Sequence, residues 1–333
     1  MTANDSHSFA LYRLPDHEEI ILVEQDKDTP ACPLAPPLEG LSGFALAPFR
    51  QDDAHPALII RADKVREWKQ EGISCDEMGK NKPNLRGNKE AYKETFAPLH
   101  RVLREGRMQK LVLSHTFECE GVAPMKVFQR MLDQYPHSLV YMAHTPQTGL
   151  WIGASPEVLV RKNGAWWETM ALAGTKRQSI EDWDAKNRHE QALVADYIAE
   201  KLAPLSEEVK QEGPTTLQTG LLYHLCTHFA FRCRDGVRLH QVIDALHPTP
   251  AVCGLPKEEA MQLILDCERH DRSYYAGYVG PINIEGETYL NVNIRCGKVD
   301  GNKITCFAGS GLLESSSLES EWDEISHKAA AII

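Results

Sequence analysis

Near its C-terminus the chain reads Cys306-Phe-Ala-Gly-Ser-Gly-Leu-Leu-Glu-Ser-Ser-Ser-Leu-Glu-Ser-Glu-Trp-Asp-Glu-Ile-Ser-His-Lys328. Its first residues predict the end of a strand. Gly309 and Gly311 then predict a turn that can take φ > 0 and present bare backbone N–H groups to an anion. The serines that follow predict a helix cap, with Ser316 and Glu319 at the spacing of a capping box. The stretch therefore predicts an anion-binding turn that leads into a helix.

The predicted helix has a charged face. Glu321, Glu324 and Lys328 lie three and seven positions apart and share it, while Trp322 and Ile325 lie on a face that can pack into a core. Taken alone, an acidic helix of this kind is more often a solvated surface element. The choice between a surface and a site depends on the rest of the chain.

The composition of the 333 residues is that of a globular protein, with 42% apolar and 25% charged residues. A net charge of −11 argues against a nucleic-acid partner. We find no apolar signal segment and no run of membrane-spanning length, and the nine cysteines include no CxxC pair. These features favour a cytoplasmic protein with reduced thiols and no membrane association.

The sequence pattern changes near residue 88, where we place an approximate boundary. Residues 1–88 contain short strand-like runs and a proline-rich piece, and the polar, glycine-containing stretch from Glu71 to Glu90 predicts a linker or flap. Residues 89–333 alternate clear helix and strand patterns. We therefore expect a variable N-terminal portion, 1–88, that belongs to the same fold as a catalytic portion, 89–333.

Two charged residues stand at strand ends. The alternation from Gln109 to Thr116 predicts a strand with Lys110 on the same face as Val112, and Glu157 follows a Ser-Pro turn at the mouth of another predicted strand. A lysine or carboxylate in such a place usually reaches solvent. From these patterns alone the surface interpretation is the more common one.

A third charged residue points inward. On the predicted helix from Ala185 to Leu202, Glu190 continues the apolar stripe one turn earlier. A buried carboxylate needs an ion pair or a bound cation, and the pattern favours neither over the other. A transition-metal site at His224, Cys226 and His228 is disfavoured, because the pattern offers no further ligand.

A strand-like segment, Thr288 to Cys296, carries Arg295 near its end. The planar guanidinium of an arginine can clamp a carboxylate with two parallel hydrogen bonds. Before it, the proline-rich run from Leu246 to Pro256 predicts a rigid turn that feeds a helix. Arg295 is therefore a candidate for holding an anionic substrate.

Five motifs in this order resemble those of the chorismate-utilising enzymes, and within that family the chain is most similar to the isochorismate synthases. The motifs cover residues 89–333 and together are specific, although each alone is weak. They are Lys-Leu-Val-Leu-Ser (110–114), Gly-Ala-Ser-Pro-Glu (153–157), Leu-Ala-Gly-Thr (172–175), His-Pro-Thr-Pro-Ala (247–251) and the glycine, glutamate and lysine positions of 309–328.

The resemblance implies an α+β fold of two large packed antiparallel β-sheets flanked by helices. It also implies a Mg²⁺-dependent isomerisation of the small molecule chorismate, in which water adds at ring carbon 2 while the 4-hydroxyl leaves. A monomer is expected. The same chemistry serves menaquinone and siderophore biosynthesis, so the pathway stays open.

The resemblance also assigns roles to residues. Glu157 is the acid for the leaving hydroxyl and Lys110 the base for the incoming water; burial would lower the pKa of this lysine and nearby glutamates would raise it. Glu190 and Glu324 are direct Mg²⁺ ligands, and Glu321 acts through water. The expected substrate-binding positions are Gly174, Thr175, His224, Ala251, Tyr275, Arg295, Gly309, Gly311 and Lys328.

One position departs from the family pattern. Relatives often carry an acid three residues before the first metal-binding glutamate, where this chain has Asn187. The departure bears on a water-mediated metal ligand and leaves the direct ligands in place.

The sequence leaves three alternatives to an isochorismate synthase. Relatives that add ammonia carry glutamine at the position of Lys110 and often threonine at that of Ala251, so they are disfavoured. Salicylate synthases share the lysine and go on to expel pyruvate. A non-catalytic chorismate-binding module is the third alternative, and it is disfavoured because every matched chemical position is filled.

Overall fold

A computed structural model describes residues 7–26, 30–69, 84–177 and 182–333. Within these ranges the chain forms two nine-stranded sheets in which every strand pairing is antiparallel, together with six α-helices. The sheets pack face to face, since the rings of Phe44 in one and Tyr141 in the other lie 5.9 Å apart. One apolar core takes side chains from both sheets. The predicted α+β class with two packed antiparallel sheets is confirmed.

Sheet 1 contains, in spatial order, β14 (Gly254–Leu255), β7 (Lys110–Glu120), β18 (Lys303–Leu312), β17 (Cys296–Asp300), β9 (Gly149–Ser155), β8 (Leu139–Thr145), β1 (Phe9–Arg13), β2 (Ile21–Glu24) and β6 (Lys64–Glu67). Sheet 2 contains β12 (Ser206–Thr219), β13 (Leu222–Cys233), β11 (Trp166–Lys176), β10 (Val158–Asn163), β16 (Thr288–Val292), β15 (Tyr278–Ile282), β4 (Gly43–Ala47), β5 (Leu58–Arg61) and β3 (Cys32–Pro33). The helices are α1 (Lys89–Arg104), α2 (Pro124–Gln134), α3 (Ala185–Leu202), α4 (Leu239–Leu246), α5 (Lys257–Cys267) and α6 (Leu318–Ala330).

Strands from before residue 88 lie in both sheets: β1, β2 and β6 in sheet 1, and β3, β4 and β5 in sheet 2. The division of the chain at residue 88 stays a prediction. Of the predicted linker between Glu71 and Glu90, residues 71–83 lie outside the described residues, and Asn88 caps α1 by accepting a hydrogen bond from the N–H of Ala91.

Helices α3 and α6 lie on different sheets. Helix α3 packs against β11 and β13 of sheet 2, and α6 packs against β18 and β7 of sheet 1. Helix α3 begins where the side chain of Asp184 accepts a hydrogen bond from the N–H of Asn187. Its bounds agree with the prediction, because its apolar stripe is long and its cap is local.

The predicted cap of α6 is wrong by one residue. Ser317, not Ser316, accepts from the N–H of Ser320 and starts the helix. The hydroxyl of Ser316 instead accepts a hydrogen bond from the N–H of Leu313. Three consecutive serines offer the same chemistry, so the sequence alone does not select the capping one.

The predicted turn at Gly309 and Gly311 is also wrong. Both glycines lie inside β18, opposite Ser114 and Val112 of β7, and neither has a positive φ. Their small size serves close packing instead of a turn. A Cβ at Gly311 would lie 2.0 Å from a carboxylate oxygen of Glu190, and one at Gly309 would lie 2.7 Å from the hydroxyl of Tyr275.

The predicted strand from Thr288 to Cys296 is two strands. Strand β16 belongs to sheet 2 and β17 to sheet 1, so the chain crosses between the sheets at residues 293–295. Arg295 has φ 48° at this crossing. The alternation of side chains continues through the crossing, which is why the sequence pattern does not reveal it.

In the part of the chain that the structure describes, none of the helices has both the length and the apolarity required to span a membrane. The eight cysteines of these residues are free thiols, and Cys75 lies outside them.

Candidate active site

A pocket lies where the two sheets meet α3 and α6. Most of the predicted site residues line it, namely Glu157, Gly174, Thr175, Glu190, His224, Ala251, Tyr275, Arg295, Gly309, Gly311, Glu324 and Lys328. Lys110 and Glu321 do not line the pocket and are fully buried behind its walls.

Lys110 begins β7, and its ammonium Nζ lies 2.9 Å from Oε1 of Glu190. This contact is an ion pair without the angles of a hydrogen bond. The absence of a side chain at Gly311 leaves room for both groups, since a Cβ there would also lie 3.0 Å from Cε of Lys110. Lys110 is thus not a solvent-reaching strand-end lysine, because its side chain has no exposed surface.

Glu157 lies between the end of β9 and the start of β10, and only 2% of its surface is exposed. Burial raises the pKa of Glu157 to about 7, against the opposing effects of a hydrogen bond from Thr249 and of the positive charges of Lys110 and Lys328. A carboxylic acid with this pKa is partly protonated at neutral pH. It can therefore donate a proton inside the pocket.

The three predicted metal-binding glutamates each contact a lysine. Glu190 pairs with Lys110; Glu321 pairs with Lys186 at 2.5 Å; and Glu324 pairs with Lys328 at 2.7 Å. Among the described residues, no group of three or more His, Cys, Asp or Glu side chains is already gathered for a metal ion. The metal ligands therefore stay a prediction.

All three carboxylates act electrostatically on one lysine. Burial lowers the pKa of Lys186, but the negative charges of Glu321, Glu324 and Glu190 outweigh that effect and raise it above its ordinary value. The second carboxylate oxygen of Glu321, Oε2, is buried without a hydrogen-bond partner among the described residues. A buried unpartnered oxygen of this kind is costly unless a cation or water satisfies it.

The opposite wall of the pocket holds Arg295, 6% exposed. Its guanidinium donates to both oxygens of Thr219 and to Nε2 of His224, the last at 2.6 Å. No carboxylate of the described residues lies within ion-pair distance of it. Arg295 therefore presents a buried positive charge that only neutral groups contact.

His224 is fixed as a neutral imidazole. Its Nδ1 donates to the carbonyl of Gly174 at 3.0 Å, so Nε2 is the acceptor for Arg295. Burial first, and the charges of Arg295 and Lys328 next, hold the pKa of His224 well below its usual value. His224 thereby ties the arginine to the peptide at Gly174, which has φ 71°.

Asn187 of α3 contacts the same part of β11, where the strand register shifts between Ala173 and Thr175. Its Oδ1 accepts from the N–H of Thr175 at 3.1 Å, and its Nδ2 donates to Asp184 at 2.7 Å. A Cβ at Gly174 would lie 3.0 Å from the same Oδ1. The amide at this position thus occupies the N–H of Thr175, so that this N–H is not free for a ligand.

The side chain of Lys328 donates to the carbonyl of Gly309 at 2.9 Å as well as to Glu324. This brings the predicted charged face of α6 against β18. Tyr275 lies across the same strand, with its ring stacked on Phe307 at 5.5 Å. The structure thus brings three of the predicted anion-binding residues, Lys328, Gly309 and Tyr275, to one region of the pocket.

The three residues of the disfavoured transition-metal site, His224, Cys226 and His228, have different partners. Sγ of Cys226 lies 3.3 Å from Nε2 of His228, whereas His224 is engaged by Gly174 and Arg295. Both observations agree with the low weight given to a transition-metal site there.

Sequence reasoning missed three residues that support the pocket. Thr249 donates to Glu157 at 3.2 Å, and Lys186 contacts Glu321. Arg272, fully buried and paired with Glu268, donates to the carbonyls of Val112 and Val252 at 2.7 Å each, and both of these line the pocket. Thr249 lies in a quoted motif and Lys186 in the predicted helix from Ala185, but their partners are 92 and 135 positions away.

The model of the family described as chorismate binding enzyme matches residues 52–333. The isochorismate synthase EntC of Escherichia coli K12 is 32% identical over 242 residues, which are 68% of this chain and 62% of EntC. The chain thus matches less than two thirds of the length of this relative. The isochorismate synthase DhbC of Bacillus subtilis (strain 168) is 30% identical over 249 residues, which are 68% of this chain and 62% of DhbC.

Solved structures share the fold. The menaquinone-specific isochorismate synthase MenF of Escherichia coli superposes with a TM-score of 0.80 at 20% identity, over 99% of this chain and 89% of that one. Anthranilate synthase component I of Streptococcus pneumoniae does so with a TM-score of 0.73 at 16% identity, over 100% and 93%. The fold is therefore common to proteins named for different reactions, and the family is shown by the sequence match: this chain belongs to the chorismate binding enzyme family.

Proposed function

We propose that this protein is an isochorismate synthase, an isomerase that converts chorismate to isochorismate. The observation that carries the proposal is the combination of Glu157, a buried acid with a pKa raised to about 7, with the buried amine of Lys110, which contacts Glu190. An acid and an amine base are what the exchange of one hydroxyl for another requires.

In this mechanism Glu157 protonates the 4-hydroxyl of chorismate as its carbon–oxygen bond breaks, so that the oxygen leaves as water. Lys110, in its neutral form, takes a proton from the water that adds at carbon 2. The reaction consumes one water and releases one. Glu157 gives one proton to the leaving oxygen and Lys110 takes one from the adding water, and return of that proton from Lys110 to Glu157 through solvent after product release restores both groups. The exposure of Glu157 is only 2%, so bulk water does not compete for its proton.

Arg295 supports the binding of a carboxylate. Its guanidinium is buried among neutral partners, and the ring nitrogen of His224 and the oxygens of Thr219 fix its plane. Lys328 adds a second positive charge beside Gly309. We assign the enolpyruvyl carboxylate to these two cations and to the hydroxyl of Tyr275.

The donor set on the opposite wall fits Mg²⁺. Glu190 and Glu324 line this wall, and Glu321 behind it has a buried carboxylate oxygen without a hydrogen-bond partner among the described residues. Hard oxygen donors are what this ion prefers. Glu190 and Glu324 would hold the ion directly, and when bound it would supply positive charge to the ring carboxylate. Lys110, Lys186 and Lys328 would then have to exchange partners, because each now contacts one of these carboxylates.

The experiment is incubation of the protein with chorismate and Mg²⁺, with separate assays of isochorismate and of pyruvate. We expect isochorismate without stoichiometric pyruvate. Rapid pyruvate release would replace the proposal with salicylate synthase activity. Binding of chorismate without any product would favour a non-catalytic module.

Lys110→Ala and Glu157→Gln test the assigned roles. Each should lower turnover by about 10²- to 10⁴-fold, while chorismate still protects the protein against thermal unfolding. The matched control is Lys303→Ala, an exposed lysine on β18 whose loss should leave turnover unchanged. Retained turnover in either site variant would remove that residue from its role.

A further inference from the structure

Thr249 is held in a rigid position beside the pocket. It lies between Pro248 and Pro250, whose rings fix their own φ angles, and its carbonyl accepts from the N–H groups of Val252 and Cys253 at 3.1 and 3.0 Å. Only 1% of its surface is exposed. The turn leaves the side chain little freedom to reorient.

The hydroxyl of Thr249 donates a hydrogen bond of 3.2 Å to Oε1 of Glu157. Among the described residues, no other group hydrogen-bonds to the carboxyl oxygens of this glutamate. Oε1 is therefore committed as an acceptor. Oε2 remains as the oxygen that can carry the acidic proton towards the pocket, which Glu157 lines.

Other charged and titratable groups face Glu157 from four directions. Lys110 of β7 and Lys328 of α6 favour its carboxylate form electrostatically. Burial raises the pKa of Cys226 of β13 and of Tyr275, and the negative charge of Glu157 adds to that effect. None of these four donates a hydrogen bond to the carboxyl group. The orientation of the acid is therefore set by Thr249, while the surrounding charges act on its ionisation without fixing a direction.

We propose that Thr249 is a positioning residue that fixes the rotamer of Glu157 and places the acidic proton on Oε2, the oxygen that faces the substrate. The proposal rests on the function proposed above. As the carbon–oxygen bond at ring carbon 4 breaks, its electron pair stays on the leaving oxygen, which takes the proton from Oε2. The carboxylate left on Glu157 is then stabilised by the Thr249 hydroxyl, because a hydrogen bond to an ionised acceptor is stronger than one to a neutral acid.

Thr249→Val tests this assignment, because valine keeps the shape of threonine and lacks the hydroxyl. We expect kcat to fall by about 10-fold with KM for chorismate and the Mg²⁺ requirement changed less than about 2-fold. The descending limb of the pH profile, where protonated Glu157 is lost, should move to higher pH. Thr249→Ser retains the hydroxyl and should restore both kcat and the profile.

The matched control is Thr145→Val. Thr145 is likewise fully buried and hydrogen-bonded, but in the β8–β9 hairpin away from the pocket. A Thr249→Val enzyme with unchanged kcat and pH profile would overturn the proposal. So would an equal loss in Thr145→Val, a change confined to KM, or a failure of Thr249→Ser to restore the profile.

A measurement without substrate separates this proposal from the proposed function. The infrared carbonyl band of protonated Glu157, assigned by its absence in Glu157→Gln, can be titrated in the wild type and in Thr249→Ser and Thr249→Val. We expect the same midpoint in the first two and a higher midpoint in Thr249→Val. Equal midpoints in all three would overturn the proposal even if the enzyme makes isochorismate, and a shifted midpoint would support the hydrogen bond even if it does not. If Thr249→Val does not fold, the comparison is made with Thr249→Ala.

Discussion

The two walls of the pocket hold their charges in opposite ways. On the α3 and α6 side, Glu190, Glu321 and Glu324 each contact a lysine. On the other side, Arg295 is buried among Thr219 and His224, which carry no charge. The charged groups of the first wall are therefore paired, whereas the guanidinium of Arg295 on the other wall has no carboxylate partner among the described residues.

This difference separates two binding tasks. A carboxylate that pairs with a lysine can release it and bind another cation while the carboxylate itself stays ionised. This property suits the wall that is proposed to bind a metal ion. A buried arginine without a carboxylate partner gains most from an anion that enters with the substrate. Substitutions on the two walls should consequently affect different measured quantities.

The largest expected effect concerns Glu157, which lies between the walls. Its folded-state pKa of about 7 is above its ordinary value of 4.5, so the folded chain binds this proton more tightly than the unfolded chain does. The corresponding stability is fully present below pH 4.5 and is lost as the pH rises through 7, a change of about 3 kcal/mol. Glu157→Gln cannot ionise and should not show this loss.

The measurement is the free energy of unfolding in urea between pH 4.5 and 8.5, without added metal. The wild type should lose stability relative to Glu157→Gln as the pH rises. Glu212→Gln, at an exposed position of β12, serves as the control and should follow the wild type. Parallel curves for wild type and Glu157→Gln would contradict the raised pKa.

The next effect concerns Arg295. Arg295→Met keeps much of the length of the side chain and removes the charge, and it should raise KM for chorismate by roughly 10- to 100-fold, since a hydrogen bond to a charged group contributes about 1.5–3 kcal/mol. The Mg²⁺ concentration for half-maximal activity should not change. Steady-state kinetics at varied chorismate and varied Mg²⁺ decide this. A change in the Mg²⁺ dependence without a change in KM for chorismate would contradict the assignment of Arg295 to substrate binding.

The smallest effect concerns Glu324. Glu324→Gln should raise the Mg²⁺ concentration for half-maximal activity by about 10-fold, with KM for chorismate at saturating Mg²⁺ nearly unchanged. Glu319→Gln is the control on the same helix, because Glu319 is exposed and pairs with Lys89 outside the pocket. An unchanged Mg²⁺ dependence in Glu324→Gln would contradict its assignment as a ligand.

Local patterns predicted local structure. The bounds of α3 follow from its periodic apolar stripe and the Asp184 cap. The arrangement of strands into two sheets came only from the family resemblance, because pairing partners are distant in sequence. The crossing at Arg295 shows the limit: side chains alternate through residues 288–296 whether or not the chain changes sheets.

The candidate site was predictable in its residues and less so in its contacts. A motif identified Glu157, and the apolar stripe of the predicted helix identified Glu190. Neither pattern showed that Thr249 contacts the first or that Lys110 pairs with the second. Gly311 was predicted for the wrong reason, a turn instead of the space that Glu190 requires. Such contacts depend on packing across the fold, which a pattern within one segment does not contain.

The attachment of α3 to sheet 2 and of α6 to sheet 1 has a mechanical consequence. A cation shared by Glu190 and Glu324 would act as a clasp between the two halves of the protein. Binding of the cation would therefore restrict movement of one sheet against the other, and the protein would be more rigid when this site is occupied.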